Sequence, residues 1–139
     1  MKKTIPCKIA FSKADNCWYV ESPGFYDGIM TYGDTLEEAK EMAKEAVHSL
    51  LESYLEHGSS FIIPKGGKGW YEVEIETGLA FALWLRNARI SRGMTLADVA
   101  EEIGVKYQVY QKLENPNANP TLKTLKKLEQ VFDTNLINI

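Results

Sequence analysis

Of all stretches in this chain, the twenty residues from Thr95 to Glu114, TLADVAEEIGVKYQVYQKLE, most restrict how it can fold. Thr95 followed by Asp98 is a T-x-x-D signal for the start of a helix. Leu96, Val99, Ala100 and Ile103 recur at helical spacing and give that helix one apolar face. Gly104 ends it, where a positive φ costs glycine little. A second helix is predicted from about Lys106 to Glu114. A small residue at the crossing, then a glycine at the turn, then an amphipathic second helix is the order of a helix-turn-helix. Ala100 and Gly104 stand in those places.

Steps of about 100° per residue put Tyr110 and Leu113 together on one side of the second helix. Gln108, Gln111 and Lys112 fall on the other, with Tyr107 and Val109 flanking them. Glutamine can bridge adenine N6 and N7, lysine can reach a guanine edge or a phosphate, and valine can touch a thymine methyl. A polar outward face is the default of any surface helix. The preceding order of cap, small residue and glycine moves the reading to DNA binding. The candidate DNA-contacting set is Lys106, Tyr107, Gln108, Gln111 and Lys112, with Thr95 and Asn117 at its margins. Lys106 is assigned to phosphate and the helix residues to bases.

A DNA reader with a net charge of −3 is an uncomfortable combination. The charge is unevenly placed. Residues 1–77 hold 8 Lys against 13 Asp or Glu, a balance of −5; residues 78–139 hold 8 Lys or Arg against 6 acids, a balance of +2. The basic excess travels with the helix-turn-helix, and the acidic half suggests a basic partner. Apolar residues at 45% and charged residues at 25% describe a globular chain. There is no apolar run of membrane-spanning length and no signal-peptide pattern, so a cytoplasmic protein is expected. Cys7 and Cys17 can pair across adjacent strands, but without export signals free buried thiols are the expectation. His48 and His57 lie too far apart to be i,i+4 metal ligands. The GGKG run at 66–69 lacks phosphate-loop spacing. No metal, cofactor or catalytic residue is expected.

Taken from its start, the chain predicts an α+β fold. Ile5, Cys7, Ile9 and Phe11 alternate with Thr4, Lys8 and Ser12 in a half-buried strand. Pro6 points to an edge position or the strand's start. Ala14-Asp15-Asn16 turns into a second strand with Trp18 and Val20, and Ser22-Pro23-Gly24 breaks it. A short third strand is predicted from Gly28 to Tyr32. Thr35 and Glu38 open the longest helix, with Leu36, Ala39, Ala43, Val47, Leu50, Tyr54 and Leu55 as its buried stripe and Gly58 at its end. Tyr71, Val73, Ile75 and Thr77 then alternate with Glu72, Glu74 and Glu76 in a strand with one acidic face. That face is either a guard against edge pairing or a docking face for a basic partner. The order β-β-β-α-β is separated at Gly78 from an all-α half. There, a helix from Leu79 to Arg92 carries Leu85 and Ala88 inside and Arg86, Arg89 and Arg92 on one flank. A last helix from Pro120 holds Leu122, Leu125, Leu128 and Phe132 inside. Leu136-Ile137-Asn138-Ile139 can form a terminal strand suited to pairing with its copy in a homodimer.

Two resemblances follow from particular residues. L-R-x-x-R from Leu85, G-M-T from Gly93, A-x-x-x-G-V from Ala100 and L-E at Leu113 resemble the Cro/repressor type of helix-turn-helix. Trp18-Tyr19-Val20, the Ser22-Pro23-Gly24 turn and GDTLEEAKEMAKEA from Gly33 resemble the HicB antitoxin domain, whose sheet is also called a partial ribonuclease H fold. Together they cover nearly the whole chain. They imply a toxin-binding domain at 1–77 and a DNA-binding, dimerising domain at 78–139. The implied partners are a HicA-like mRNA-cleaving toxin and double-stranded operator DNA, with a homodimer extending to a tetramer if both halves self-associate. Two positions depart from the repressor pattern: Leu96 stands where glutamine often follows the threonine, and Lys106 where a small hydroxylated residue often caps the reading helix.

Two other classes compete. An enzyme would need a nucleophile–base pair or a metal-binding set of carboxylates, and neither is evident. A one-component repressor would sense a small ligand through its N-terminal half, with Trp18, Tyr19, Phe25, Tyr26 and Tyr32 lining the pocket.

Overall fold

The computed structural model describes residues 3–22, 28–58 and 65–136. The chain divides into two compact units, Lys3–Ile75 and the residues from Glu76 onward.

The first unit is a four-stranded antiparallel sheet under one long helix. β1 (Thr4–Ser12), β2 (Cys17–Ser22), β3 (Ile29–Gly33) and β4 (Tyr71–Glu74) lie in the order β3-β2-β1-β4. Asn16, with φ 51, turns β1 into β2. Opposed pairs Ile9–Val20, Val20–Thr31 and Ile5–Val73 fix which residues share a face. Ile5, Cys7, Val20, Ile29 and Val73 are buried on the side that carries the helix. β1 is therefore an inner strand, so Pro6 does not mark an edge. It does lie near the strand's start, the other expected place, and its carbonyl accepts from the Ser22 hydroxyl at 2.8 Å. N and O of one residue point to the same side of a strand, so the missing N–H also faces Ser22 and costs β4 no ladder bond.

Helix α1 (Leu36–His57) starts as expected: the Thr35 hydroxyl accepts from the Glu38 N–H at 3.0 Å, and Glu37 and Glu38 occupy the first turn. Its buried stripe is Ala39, Ala43, Val47, Leu51 and Tyr54. Leu51 replaces the predicted Leu50 and Leu55, which are half-buried along with Leu36. The 4-4-4-3 spacing of the stripe follows the helix's drift more closely than a wider choice of leucines. The helix can settle on β3 because Gly33 has no side chain; a Cβ there would collide with the Ala39 backbone. Cys7 and Cys17 are free and buried. The Ser12–Cys17 register puts them on opposite faces of the sheet, which excludes a bond between them. Burial pushes the Cys7 thiol up to about 11, with Glu72 adding to the shift and a Ser22 hydrogen bond opposing it.

The acidic strand is shorter than its alternation predicts. β4 ends at Glu74, Ile75 N–H still donates to the Lys3 carbonyl at 2.7 Å, and Glu76 stands at the N-cap position of the next helix, its carbonyl accepting from Ala80 N–H at 2.9 Å. Thr77 is already helical. The alternation yields because Leu79, Ala80, Phe81, Ala82 and Leu83 form an unbroken apolar run that a helix can bury on nearly all sides.

The second unit consists of helices α2 (Thr77–Ser91), α3 (Leu96–Ile103), α4 (Tyr107–Leu113) and α5 (Leu122–Phe132). Phe81, Leu85, Val99, Ala100, Ile103, Tyr110, Leu113, Leu128 and Phe132 form its core. Ala88 packs half-buried against that core. Leu122 does not join it and is 66% exposed. A step of three residues drifts about 60° around a helix, so the run 122–125–128 leaves the buried stripe at its first member. Gly78 sits in the first turn of α2, not in a linker. A Cβ there would collide with the Pro116 carbonyl, so the turn after α4 rests directly on α2. The predicted terminal strand falls on residues 137–139, outside the described residues, and Leu136 is not in a strand. The turn expected at Pro23-Gly24 also lies outside them. Among the described residues no helix is long and apolar enough to cross a membrane.

Two substitutions check this packing. Gly78→Ala is expected to cost about 1–3 kcal/mol as an overpacked contact, read by urea denaturation; an unchanged midpoint would mean the Pro116 turn does not rest on α2. Cys7 is expected to resist iodoacetamide at pH 8 in the native protein and to react on unfolding, measured by mass spectrometry.

Candidate nucleic-acid interface

The reading helix is built from its start by local chemistry. Thr95 and Asp98 cap α3 reciprocally: the Thr95 hydroxyl accepts from Asp98 N–H at 3.0 Å, and the Asp98 carboxylate accepts from Thr95 N–H at 2.8 Å. Gly104 takes φ 72, and Val105 N–H closes back on the Ala100 carbonyl at 2.9 Å. Ala100 is buried at the crossing. Lys106 then stands at the N-cap of α4 without a side-chain cap bond. Its backbone carbonyl accepts from Val109 and Tyr110 at 3.0 and 3.1 Å. Since a lysine cannot accept a hydrogen bond, its ammonium is left to point outward.

Underneath, α4 is held by a polar network. The Tyr110 hydroxyl donates to Glu114 Oε2 at 2.6 Å. Arg89 grips the same carboxylate with two bonds, Nε to Oε2 at 2.7 Å and Nη2 to Oε1 at 3.0 Å. A third Arg89 bond reaches the Met94 carbonyl at 3.0 Å. The ion pair is largely shielded, with side-chain exposures of 14% and 8%. Burial, helped by the Glu114 hydrogen bond, pushes the Tyr110 phenol far above its usual range. The Glu114 bond raises the Arg89 guanidinium above its already high value. One residue at the end of the reading helix thus ties that helix to α2.

The three arginines of α2 were legible as a basic flank, but the fold gives them internal tasks. Arg86 is buried, and desolvation followed by the neighbouring Arg89 charge lowers its pKa. Arg92 donates to the Phe132 carbonyl at 2.7 Å and lies over the Phe132 ring at 5.1 Å. The outward cations near α4 are lysines.

Every predicted contact residue on α4 is exposed: Tyr107, Gln108, Gln111 and Lys112 share its outer side with Val109, and Lys106 precedes them. Lys112 borders one hollow with Asn115, Asn117, Ala118 and Asn119. Asn117 is shaped by an Asx turn, its N–H donating to Asn115 Oδ1 at 2.9 Å. Thr95 is exposed, but its hydroxyl oxygen and its N–H are both engaged in the cap, leaving only the hydroxyl proton for a phosphate. The residues missed in the sequence are Arg89 and Glu114 as a pair. They are 25 positions apart, and no local period could join them. The histidines bond one turn back, His48 Nδ1 to the Lys44 carbonyl at 2.8 Å and His57 Nδ1 to the Ser53 carbonyl at 3.0 Å. Among the described residues no three His, Cys, Asp or Glu side chains gather to hold a metal.

A helix-turn-helix family model matches residues 85–137. The chain is 28% identical to Antitoxin HicB 1 of Photorhabdus laumondii subsp. laumondii over 80% of its own length and 70% of that protein. It is 26% identical to Antitoxin HicB 2 of the same organism over 90% of its length and 88% of that protein. Over most of its length the chain is thus weakly similar to two proteins named HicB antitoxins, and its second half matches a helix-turn-helix model.

The network predicts a stability signature. Glu114→Ala is expected to destabilise the protein by about 2–4 kcal/mol, because it leaves Arg89 and Tyr110 without their shared acceptor. Tyr110→Phe is expected to cost about 1 kcal/mol, one hydrogen bond. In the double variant the two losses should not add, measured by urea denaturation.

Proposed function

We propose that this protein is the antitoxin of a two-gene toxin–antitoxin pair and the repressor of its own operon. In this reading residues 1–77 bind and inhibit a HicA-like, mRNA-cleaving toxin. Residues 78–139 dimerise and bind operator DNA. The protein acts by binding and does no chemistry of its own. The observation that carries the reading is the exposed set Lys106, Tyr107, Gln108, Gln111 and Lys112 on a helix fixed from below by Glu114, in a chain similar to HicB antitoxins over most of its length. The charge division supports it: the basic excess lies with the DNA reader and the acidic excess with the half assigned to an RNA-gripping partner.

The ligand-sensing alternative is not favoured by the aromatic side chains. Trp18 and Tyr19 are consecutive in β2 and point to opposite faces of the sheet, so they cannot line one pocket. Phe25 and Tyr26 lie outside the described residues.

The purified protein is expected to bind its own promoter region as a dimer or larger assembly, with affinity falling steeply between 50 and 200 mM salt. Binding that ignores salt, or none at all, would overturn the repressor half of the proposal. Replacing Gln108 and Gln111 with Ala is expected to relax sequence choice, losing roughly 1–3 kcal/mol per bidentate base contact. Replacing Lys106 is expected to weaken all sequences alike and to flatten the salt slope. Titrating operator and scrambled duplexes separates the two effects.

A further inference from the structure

The sheet of the first unit buries only one of its faces under α1. On the other, the strand registers line up two rows: Ala10–Tyr19–Tyr32 and Lys8–Glu21–Met30. Met30 is 78% exposed and Tyr32 58%. The Tyr19 and Tyr32 rings meet edge-on at 6.4 Å. Small Ala10 leaves that pair standing above the inner strand. The Tyr19 hydroxyl is turned to Asp15, donating at 2.7 Å. Farther across, Thr4 opposes Glu74 and Pro6 opposes Glu72, so both β4 glutamates point to the same side. Pro6 is covered there by the backbone at Gly66, and Cys17 on the same face is buried too. Among the described strand residues of this face, Glu21, Glu72 and Glu74 stand against Lys8.

Isolated exposed apolar residues need no explanation. Here a methionine and two tyrosines are adjacent by register, with Glu21 directly beside Met30 and Glu72 and Glu74 farther along the same face on β4; an aromatic and Met centre with charge at its margin is the anatomy of a protein-binding patch. A second copy of the chain is a poor occupant, since face-to-face packing would set these glutamates against one another. We propose that this face, centred on Tyr19, Met30 and Tyr32 with Glu21 beside them and Glu72 and Glu74 farther along it, is the surface that docks the basic toxin. This rests on the antitoxin reading above and assigns that function to one side of the sheet, leaving the outer side of α1 unused.

The test uses the full chain and the purified short basic protein encoded beside its gene. Affinity is measured for wild type, for Met30→Lys with Tyr32→Lys, for Glu21→Lys with Glu74→Lys, and for Glu45→Gln with Glu52→Gln on exposed positions of α1. The first and last pairs add the same charge on different surfaces. Both face variants are expected to bind at least about thirtyfold more weakly, the α1 variant within about twofold of wild type, and wild-type affinity to fall with salt. Preserved melting midpoints and promoter binding establish that the variants fold. Face variants that bind like wild type overturn the docking surface and leave the antitoxin reading standing. Wild-type protein that does not bind the basic protein overturns both. A face variant that instead changes the chain's own oligomeric state assigns the surface to self-association and overturns the proposal.

Discussion

The placement of helix α4 depends on one carboxylate. Glu114 accepts two bonds from Arg89 and one from Tyr110, and the three groups lie between α2 and the end of α4. A helix of only seven residues is too short to hold itself in water. Tyr110 and Leu113 anchor it by burial, but apolar contacts alone allow a short cylinder to roll. A bidentate guanidinium–carboxylate pair has fixed planar geometry, so it sets the rotation of α4 about its axis. In the DNA-binding reading proposed above, that rotation decides which side chains would meet a base edge. The exposed order of Gln108, Gln111 and Lys112 is therefore a consequence of a buried ion pair on the opposite side.

The same unit explains why its arginines do not form a DNA-facing stripe. Arginine's fork satisfies several carbonyl and carboxylate oxygens at once, which suits it to closing a small core. Arg89 spends its donors on Glu114 and Met94, and Arg92 on Ala88 and Phe132. Lysine, a mobile point charge, is what remains at the surface around α4. In the reading proposed above, such a division would leave phosphate contact to lysines and base contact to amides, with the arginines keeping the scaffold rigid.

In the first unit the corresponding constraint is geometric. A single helix can cover only one face of a four-stranded sheet, and Gly33 lets α1 come close enough to seal it. On the opposite face Met30 and Tyr32 are exposed, and the side chains are set in register. The acids of that face come from strands far apart in sequence, Glu21 on β2 and Glu72 and Glu74 on β4. Their common orientation exists only once β1 lies between them.

Sequence alone determined the elements whose signals are local. The caps at Thr35 and Thr95, the turn at Gly104, the strand alternation of β1 and the buried side of α4 are each dictated within one or two turns of chain, where propensity and period act. It also set the uneven charge. It misread the features that tertiary packing decides. Thr77 joined a helix because the apolar run after it required burial on several sides. Leu122 fell outside the core because helical drift over two steps exceeds the width of the buried stripe. Pro6 stands near its strand's start, one of its two expected places, but in an inner strand, because its missing N–H faces away from β4. Arg89 found Glu114 across 25 residues, and Tyr19 and Tyr32 became neighbours through pairing of β2 with β3. Contacts at such separations carry no period in the sequence; they are fixed by which surfaces bury one another when the chain closes.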